Sequence, residues 1–288
     1  MTDLPPEIIR RLKEFLNEDI RSGDITTSIL GTHDGKGVGT FYAKSRSVLA
    51  GLKEAMAIAE IMGLKFKALA KEGEWVEKKK PVLRITGQAS VILQVERVSL
   101  NIIMRMSGVA TKTRNMVDLA HQVNNKVRVA ATRKTTPGFR FFEKRAVQIG
   151  GGDPHRYALD DMILIKNNHI SVIGSIEKAV KAARKKVSFS KKISCEARDV
   201  KECIAAAKAG ADIILLDNFT PKDVKEADSK LKEERLRDRI ILEASGGMNE
   251  VNVEEYSRSG VDVISSGALT HSYIASDFNM LLELGKKK

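Results

Sequence analysis

The chain has 288 residues, a formal net charge of +12, 42% hydrophobic and 30% charged residues. That length supports one or two domains with a sizeable core, and the interspersed charges of both signs exclude a disordered tail protein. No stretch approaches the ~20 apolar residues of a membrane helix, no basic-then-apolar leader opens the chain, and Cys195 and Cys203 form neither a metal knuckle nor a disulfide scaffold.

Taken in order, Pro5 and Pro6 introduce a helix with an apolar face of Ile8, Ile9, Leu12, Phe15, Leu16 and Ile20, stopped by Gly23. Strands are expected over 39–43 and 47–50, with the glycines from Gly35 to Gly39 forming a hairpin turn before them. A helix over 54–62 follows, then strands over 67–70 and 81–86 flanking a charged turn at 72–80. A long helical region spans 90–123, interrupted near Ser107 and Gly108. Near its start the pattern changes, which divides the chain into an N-terminal domain (1–101) and a second domain (102–271).

Beyond residue 126, short β-branched runs alternate with helical stretches. Strands are expected over 127–132, 162–165, 193–196, 213–217, 240–243 and 261–265, with helices over 138–148, 175–186, 200–209, 221–234 and 251–259. Such alternation builds a parallel sheet, open or closed into a barrel. Each run ends in a polar group: Arg133 and Lys134, Lys166, Glu196, Asp217, Glu243 with Ser245, then Ser265 and Ser266. In a barrel, the site sits at these C-terminal strand ends.

Three clusters emerge there. Ser245-Gly246-Gly247 and Ser265-Ser266-Gly267 end the last two strands, where small residues let backbone amides approach a phosphate, and the helix starting after Gly267 adds favourable polarity. Arg133, Lys134, His155, Arg156 and Lys166 form a basic group suited to a multiply charged anion, with Gly150-Gly151-Gly152 as a close-approach loop. Glu196 and Asp217 end neighbouring strands and suit either a shared Mg²⁺ or pairing with the nearby cations. Together they describe group transfer from a phosphorylated sugar donor. The basic balance suits such polyanions; with 5% aromatic residues, no nucleic-acid partner is expected. No Gly-x-Ser-x-Gly elbow and no P-loop is present.

The sequence also resembles the quinolinate phosphoribosyltransferase family nearly end to end. The matching segments are EDIRSGDITT (18–27), ERVSLNIIMRMSGVAT (96–111), TRKTTPGFR (132–140), GGGDPHRYALDDMILIKNNH (150–169), CEARD (195–199), ILLDN (214–218), EASGG (243–247) and SSGALTHS (265–272). The resemblance implies an α/β fold: an N-terminal α/β sandwich joined to an incomplete, TIM-like α/β barrel, with a C-terminal helix in segment 272–288 returning to the first domain. It implies a cytoplasmic homodimer, or an assembly of dimers, in which Arg97 reaches the partner's site. The implied reaction converts quinolinate and phosphoribosyl pyrophosphate (PRPP), with Mg²⁺, to nicotinate mononucleotide, pyrophosphate and CO₂ in NAD biosynthesis.

By the same resemblance, Arg97, Arg133, His155, Arg156 and Lys166 hold quinolinate. Lys134 serves the pyrophosphate side or the departing carboxylate, Glu196 and Asp217 engage the ribose hydroxyls and Mg²⁺, and Ser245, Gly246, Gly247, Gly267 and His271 hold the 5′-phosphate. Three positions depart from the family pattern: Ala131, Pro154, and Asn167 in place of the usual Asp. Three other readings remain open: an enzyme of the same fold acting on nicotinate, a phosphate- or RNA-binding barrel without turnover, and a lyase using Lys166 as a Schiff-base amine.

Overall fold

The structure, a computed structural model, describes residues 3–30 and 35–284. The chain divides into two compact units, one comprising residues 1–112 with 274–288 and the other 113–273.

In the first unit, α1 (Pro6–Ile20) starts at a proline, which suits the first helical turn, and buries Ile8, Leu12 and Leu16 along one face. A short α2 (Ile25–Leu30) follows, held by Asp24 accepting from the Thr27 backbone at 3.1 Å. The strands β1 (Lys36–Ala43), β2 (Ser47–Val48), β3 (Lys65–Ala68), β4 (Trp75–Val76) and β5 (Pro81–Gln88) alternate with α3 (Leu52–Ile61). The last strand of the chain, β12 (Phe278–Leu284), completes an antiparallel sheet of order β12-β1-β5-β3. Helix α3 packs on it, and α1 packs on α3.

Three expectations are corrected in this unit. The segment from Gly35 to Gly39 is not a turn: strand β1 begins at Lys36 and runs through it. The C-terminal segment returns as a strand instead of a helix, because it alternates with a period of two: Phe278 and Met280 are buried and Leu281 is exposed. Helix α4 (Ala89–Val123) runs unbroken through Ser107 and Gly108. The small residues there serve packing. The Ser107 Oγ bonds both the N–H and the carbonyl of Ala50, and a Cβ on Gly108 would lie 2.3 Å from the Ile274 oxygen. These ties, with Thr111 Oγ1 accepting from the Val48 N–H and Met104 O accepting from the Ser276 N–H, keep α4 in the first unit as far as Lys112.

The second unit holds six parallel strands: β6 (Arg128–Ala130), β7 (Ile163–Ile165), β8 (Ile193–Ala197), β9 (Ile213–Asp217), β10 (Ile241–Ser245) and β11 (Val263–Ser265). Between them run α5 (Arg140–Ile149), α6 (Asn167–Ile173), α7 (Ile176–Lys186), α8 (Val200–Ala209), α9 (Pro221–Glu233), α10 (Val253–Ser257) and α11 (Ala268–His271). The sheet order is β6-β11-β10-β9-β8-β7, so two strands consecutive in sequence form its opposite edges. This is an incomplete barrel. Along the outer edge of β6, Asp153 adds one further rung, with its N–H donating to Val129 O and its carbonyl accepting from Ala131 N–H.

The helix starts explain why the repeats end where they do. Ser175, Asp199 and Thr220 cap α7, α8 and α9 by accepting from the N–H three residues on, and Pro221 begins α9. Helix α6 was not expected from the sequence. It is short, and its cap is the unusual Lys166, whose N–H donates to His169 Nδ1.

At the N-terminal end of the barrel, Arg237 ties several segments together. Its guanidinium donates to Asp228 at 2.6 Å, to Asp262 at 3.0 Å, and to the carbonyls of Ile240 and Gly260. Leaving the buried Asp228 carboxylate with Lys232 alone is costly, so Arg237→Ala lowers stability by about 3 kcal/mol. Urea denaturation measures this; the cluster lies at the N-terminal strand ends, opposite the end that carries the polar strand-terminal residues.

Candidate active site

Strand register decides which side chains meet. Glu196 and Glu243 both pair with Leu215, while Ser245 pairs with both Asp217 and Ser265. Residues opposite one another across a ladder share a face of the sheet. These six therefore line one cavity of about 650 Å³ at the C-terminal strand ends. Their neighbours Ala197, Ile214, Leu216, Ala244 and Ile264 point the other way and are buried.

The cavity has an acidic wall. Burial, and then the charge of Asp217, raise the Glu196 carboxyl above its ordinary pKa, against the opposing pull of Lys166. Asn167 Nδ2 donates to Glu196 Oε1 at 2.5 Å and fixes that carboxylate, while the Asn167 Oδ1 is buried without a partner. Two carboxylates held close in a desolvated place favour a cation between them. Among the described residues no group of three His, Cys, Asp or Glu is available to hold a metal, so an ion here would take its remaining oxygens from ligand or water.

The basic wall faces the same space. Arg133 follows β6, with its Nε buried and without a partner. Burial, and then the charge of Arg133, weaken the proton affinity of Arg156, whose Nη1 donates to Met162 O at 3.2 Å. His155 adopts a left-handed backbone, φ 55°. Its Nδ1 accepts from the Arg156 N–H at 2.8 Å, which leaves the proton on Nε2, 3.3 Å from Oε2 of Glu243. Glu243 is 2% exposed. Lys134 and Lys166 complete this wall, and the Lys134 carbonyl accepts from Thr270 Oγ1 at 2.8 Å.

The last two strand ends form a corner of small residues. Gly246 and Gly247 take φ 102° and 65°, and a Cβ on Gly246 would meet Asn218 Oδ1 at 2.2 Å. Only glycine fits that turn. The Ser265 Oγ is buried there without a partner, ready for an incoming acceptor or donor. Gly267 and His271 close the corner, and His271 Nδ1 lies 2.6 Å from Ser272 Oγ. Leu164 and Leu215 provide the apolar floor.

Arg133, Lys134, His155, Arg156, Lys166, Glu196, Asp217, Ser245, Gly246, Gly247, Gly267 and His271 thus all line one cavity. Arg97 does not. It stands exposed on α4 in the first unit and is absent from this lining. Sequence reasoning left out Asn218 and did not assign Glu243 to a ligand, although Glu243 stands at a recognised strand end; Ser265 was read only for its backbone, and its hydroxyl also lines the cavity. Asn218 had a signal, since it follows Asp217 directly after β9; its left-handed φ of 58° carries it into the cavity. Cys195 and Cys203 are buried, with their thiols pushed up to about 12 by desolvation, and take no part.

Comparisons with known proteins agree along the whole chain. Residues 24–107 match the family described as quinolinate phosphoribosyl transferase, N-terminal domain, and residues 109–281 match its C-terminal domain. A protein of Archaeoglobus fulgidus named "Probable nicotinate-nucleotide pyrophosphorylase (carboxylating)" is 48% identical, over 90% of this chain and 97% of its own. The nicotinate-nucleotide pyrophosphorylase (carboxylating) of Homo sapiens is 36% identical, over 97% of this chain and 93% of its own. The crystal structure of NadC from Streptococcus pyogenes, 34% identical, superposes with a TM-score of 0.92 and covers 99% of this chain and 100% of that one.

The raised pKa of Glu196 has a consequence for stability. Ionising this carboxyl costs more in the fold than in the unfolded chain, so stability falls as pH rises through the interval between the two values. Glu196→Gln therefore melts at a higher temperature than the parent at neutral pH. The two midpoints converge below about pH 3, where the carboxyl is protonated in both states. Melting followed by circular dichroism across that range checks this.

Proposed function

The chain belongs to the quinolinate phosphoribosyltransferase family, and from that membership we propose that its barrel converts quinolinate and PRPP to nicotinate mononucleotide, pyrophosphate and CO₂, a step of NAD biosynthesis. The observation that carries this reading is the joining, in one cavity, of a basic wall, two close carboxylates and a small-residue phosphate corner. Those are the three charge patterns that a dicarboxylate, a ribose with its leaving group and a 5′-phosphate require.

In this reading, Arg133, Arg156, Lys166 and His155 hold the two carboxylates of quinolinate. The buried, unpartnered Arg133 Nε and the mutual repulsion of Arg133 and Arg156 support that role, since a double anion satisfies both. Ser245, Gly246, Gly247, Gly267 and His271 receive the 5′-phosphate, together with the unpartnered Ser265 hydroxyl. Glu196 and Asp217 meet the ribose hydroxyls. The same two carboxylates would hold Mg²⁺, whose chemistry here is neutralisation of the pyrophosphate leaving group.

The quinolinate nitrogen attacks the anomeric carbon as the bond to pyrophosphate breaks, and the ribose gains oxocarbenium character that the acidic wall favours. Lys134, at the mouth, meets charge on the departing pyrophosphate or on the carboxylate that is lost. The adjacent carboxylate then leaves as CO₂, its electron pair staying on ring C2, where the positive nitrogen beside it stabilises the charge until C2 takes a proton from water. Alignment and charge neutralisation suffice, and no general base is needed. Among the described residues no helix is long and apolar enough to cross a membrane, which with the unpaired cysteines supports a cytoplasmic setting.

Arg97, exposed on α4 and outside the cavity lining, serves the site of a second copy in a homodimer. Turnover with quinolinate, PRPP and Mg²⁺, and none with nicotinate in place of quinolinate, is the expected result; turnover with nicotinate alone overturns the substrate. Arg133→Ala and Arg156→Ala each lower kcat/KM for quinolinate by about 100-fold, as expected for loss of a buried charge-assisted contact. Mixing inactive Arg97→Ala with inactive Arg133→Ala restores about a quarter of parental activity, because half the dimers are then hybrids with one intact site. No recovery on mixing places Arg97 outside the partner's site.

A further inference from the structure

Helix α5 carries a buried cation to which the chemistry above gives no role. Lys144 is 0% exposed, and among the described residues no carboxylate lies within ion-pair distance of it. Its Nζ donates to two main-chain oxygens, those of Pro154 and, at 2.7 Å, Arg156. The Tyr157 ring lies 5.4 Å away. The surrounding charges are divided: Arg140 and Arg133 oppose the ammonium, while Asp153 and Asp161 favour it at longer range. Burial and Arg140 together pull its pKa down to about 8. A well-packed apolar side chain in this place would favour stability more than a buried charge does.

What the ammonium grips explains its presence. The two carbonyls flank His155, the residue in left-handed conformation, and one belongs to Arg156 itself. On the upstream side, Asp153 is anchored to β6 by two backbone hydrogen bonds and accepts from the His155 N–H at 2.7 Å. On the downstream side, Arg140, one turn before Lys144 on α5, donates to the Tyr157 carbonyl at 2.9 Å. A turn that displays two cavity side chains is thus held from behind by two cations of one helix.

We propose that Lys144 is a positioning residue for the carboxylate-binding wall: its ammonium fixes the 154–156 turn so that His155 and Arg156 present their side chains together to the substrate. The proposal rests on quinolinate being that substrate. A residue acting in this way affects the dicarboxylate and leaves the sugar phosphate at the far corner untouched.

The test compares the parent with Lys144→Met, which keeps length and loses the donors, and Lys144→Arg, which keeps charge and donors. Steady-state constants are measured for each substrate, with quinolinate binding by calorimetry and the melting midpoint recorded for each protein. Lys144→Met is expected to raise KM and Kd for quinolinate about 10-fold or more while the KM for PRPP stays within about twofold, and Lys144→Arg to recover most of the difference. If Lys144→Met does not fold, Lys144→Gln, which keeps an N–H donor without charge, takes its place and is expected to show a smaller selective rise. A folded variant whose quinolinate constants stay at the parental values, or whose constants for both substrates rise together, overturns the role. Absence of quinolinate turnover in the parent itself overturns the substrate reading instead, so the two failures are distinguishable.

Discussion

Like charges held side by side are the constraint on which this protein depends. Arg133 and Arg156 oppose each other on one wall, Glu196 and Asp217 on the other, and each pair is a repulsion that the fold holds within the cavity. Neither arrangement would persist in a pliable chain, because the side chains would turn to solvent or to the opposite pair. The parallel ladder prevents it. Asp217 is fixed by its place on β9, Glu196 by β8 and the Asn167 amide, and the two strands are adjacent. A ligand with the complementary charge pattern removes both repulsions on entering, so part of the binding energy is already stored in the fold.

The same sheet separates stability from chemistry. The N-terminal end of the barrel carries saturated networks such as Arg237 with Asp228 and Asp262, in which opposite charges meet within hydrogen-bond distance. The C-terminal end carries polar atoms without partners, among them Arg133 Nε, Ser265 Oγ and Asn167 Oδ1. Satisfied groups hold; unsatisfied ones wait for a ligand.

Much of this was legible in the sequence because it follows short-range rules. A β-branched run ending in a polar residue, then a capped helix, reveals both strand and site, which is why the ends at Lys166, Glu196, Asp217 and Ser245 could be named without coordinates. What escaped depended on contacts distant along the chain or on rare backbone geometry. Ser107 and Gly108 read as a break in α4 because their use, close approach to Ala50 and Ile274, is invisible locally. The C-terminal segment became a strand because β1 offered an edge to pair with. Asn218 reaches the cavity through a left-handed conformation, which its residue type permits but its neighbours along the chain do not dictate. Lys144 falls on the buried side of a helix where a charge is unexpected; only the carbonyls it meets show why it is there.

The strand order β6-β11-β10-β9-β8-β7 also bears on how the protein comes to be made. Strand β6 finds its hydrogen-bond partner in β11, so Ala130 waits for Ser265. During synthesis the five other strands can join in sequence from β7 to β11, while the segment bearing Arg133, His155 and Arg156 stays attached through β6 to an unmatched edge. The part of the basic wall carried by Arg133, His155 and Arg156 is therefore the last to reach its place, since its closure spans almost the whole unit and such distant pairings are slow. A nascent chain halted before β11 would show the acidic wall without its counterpart, and so would acquire affinity for the substrate pair only at completion.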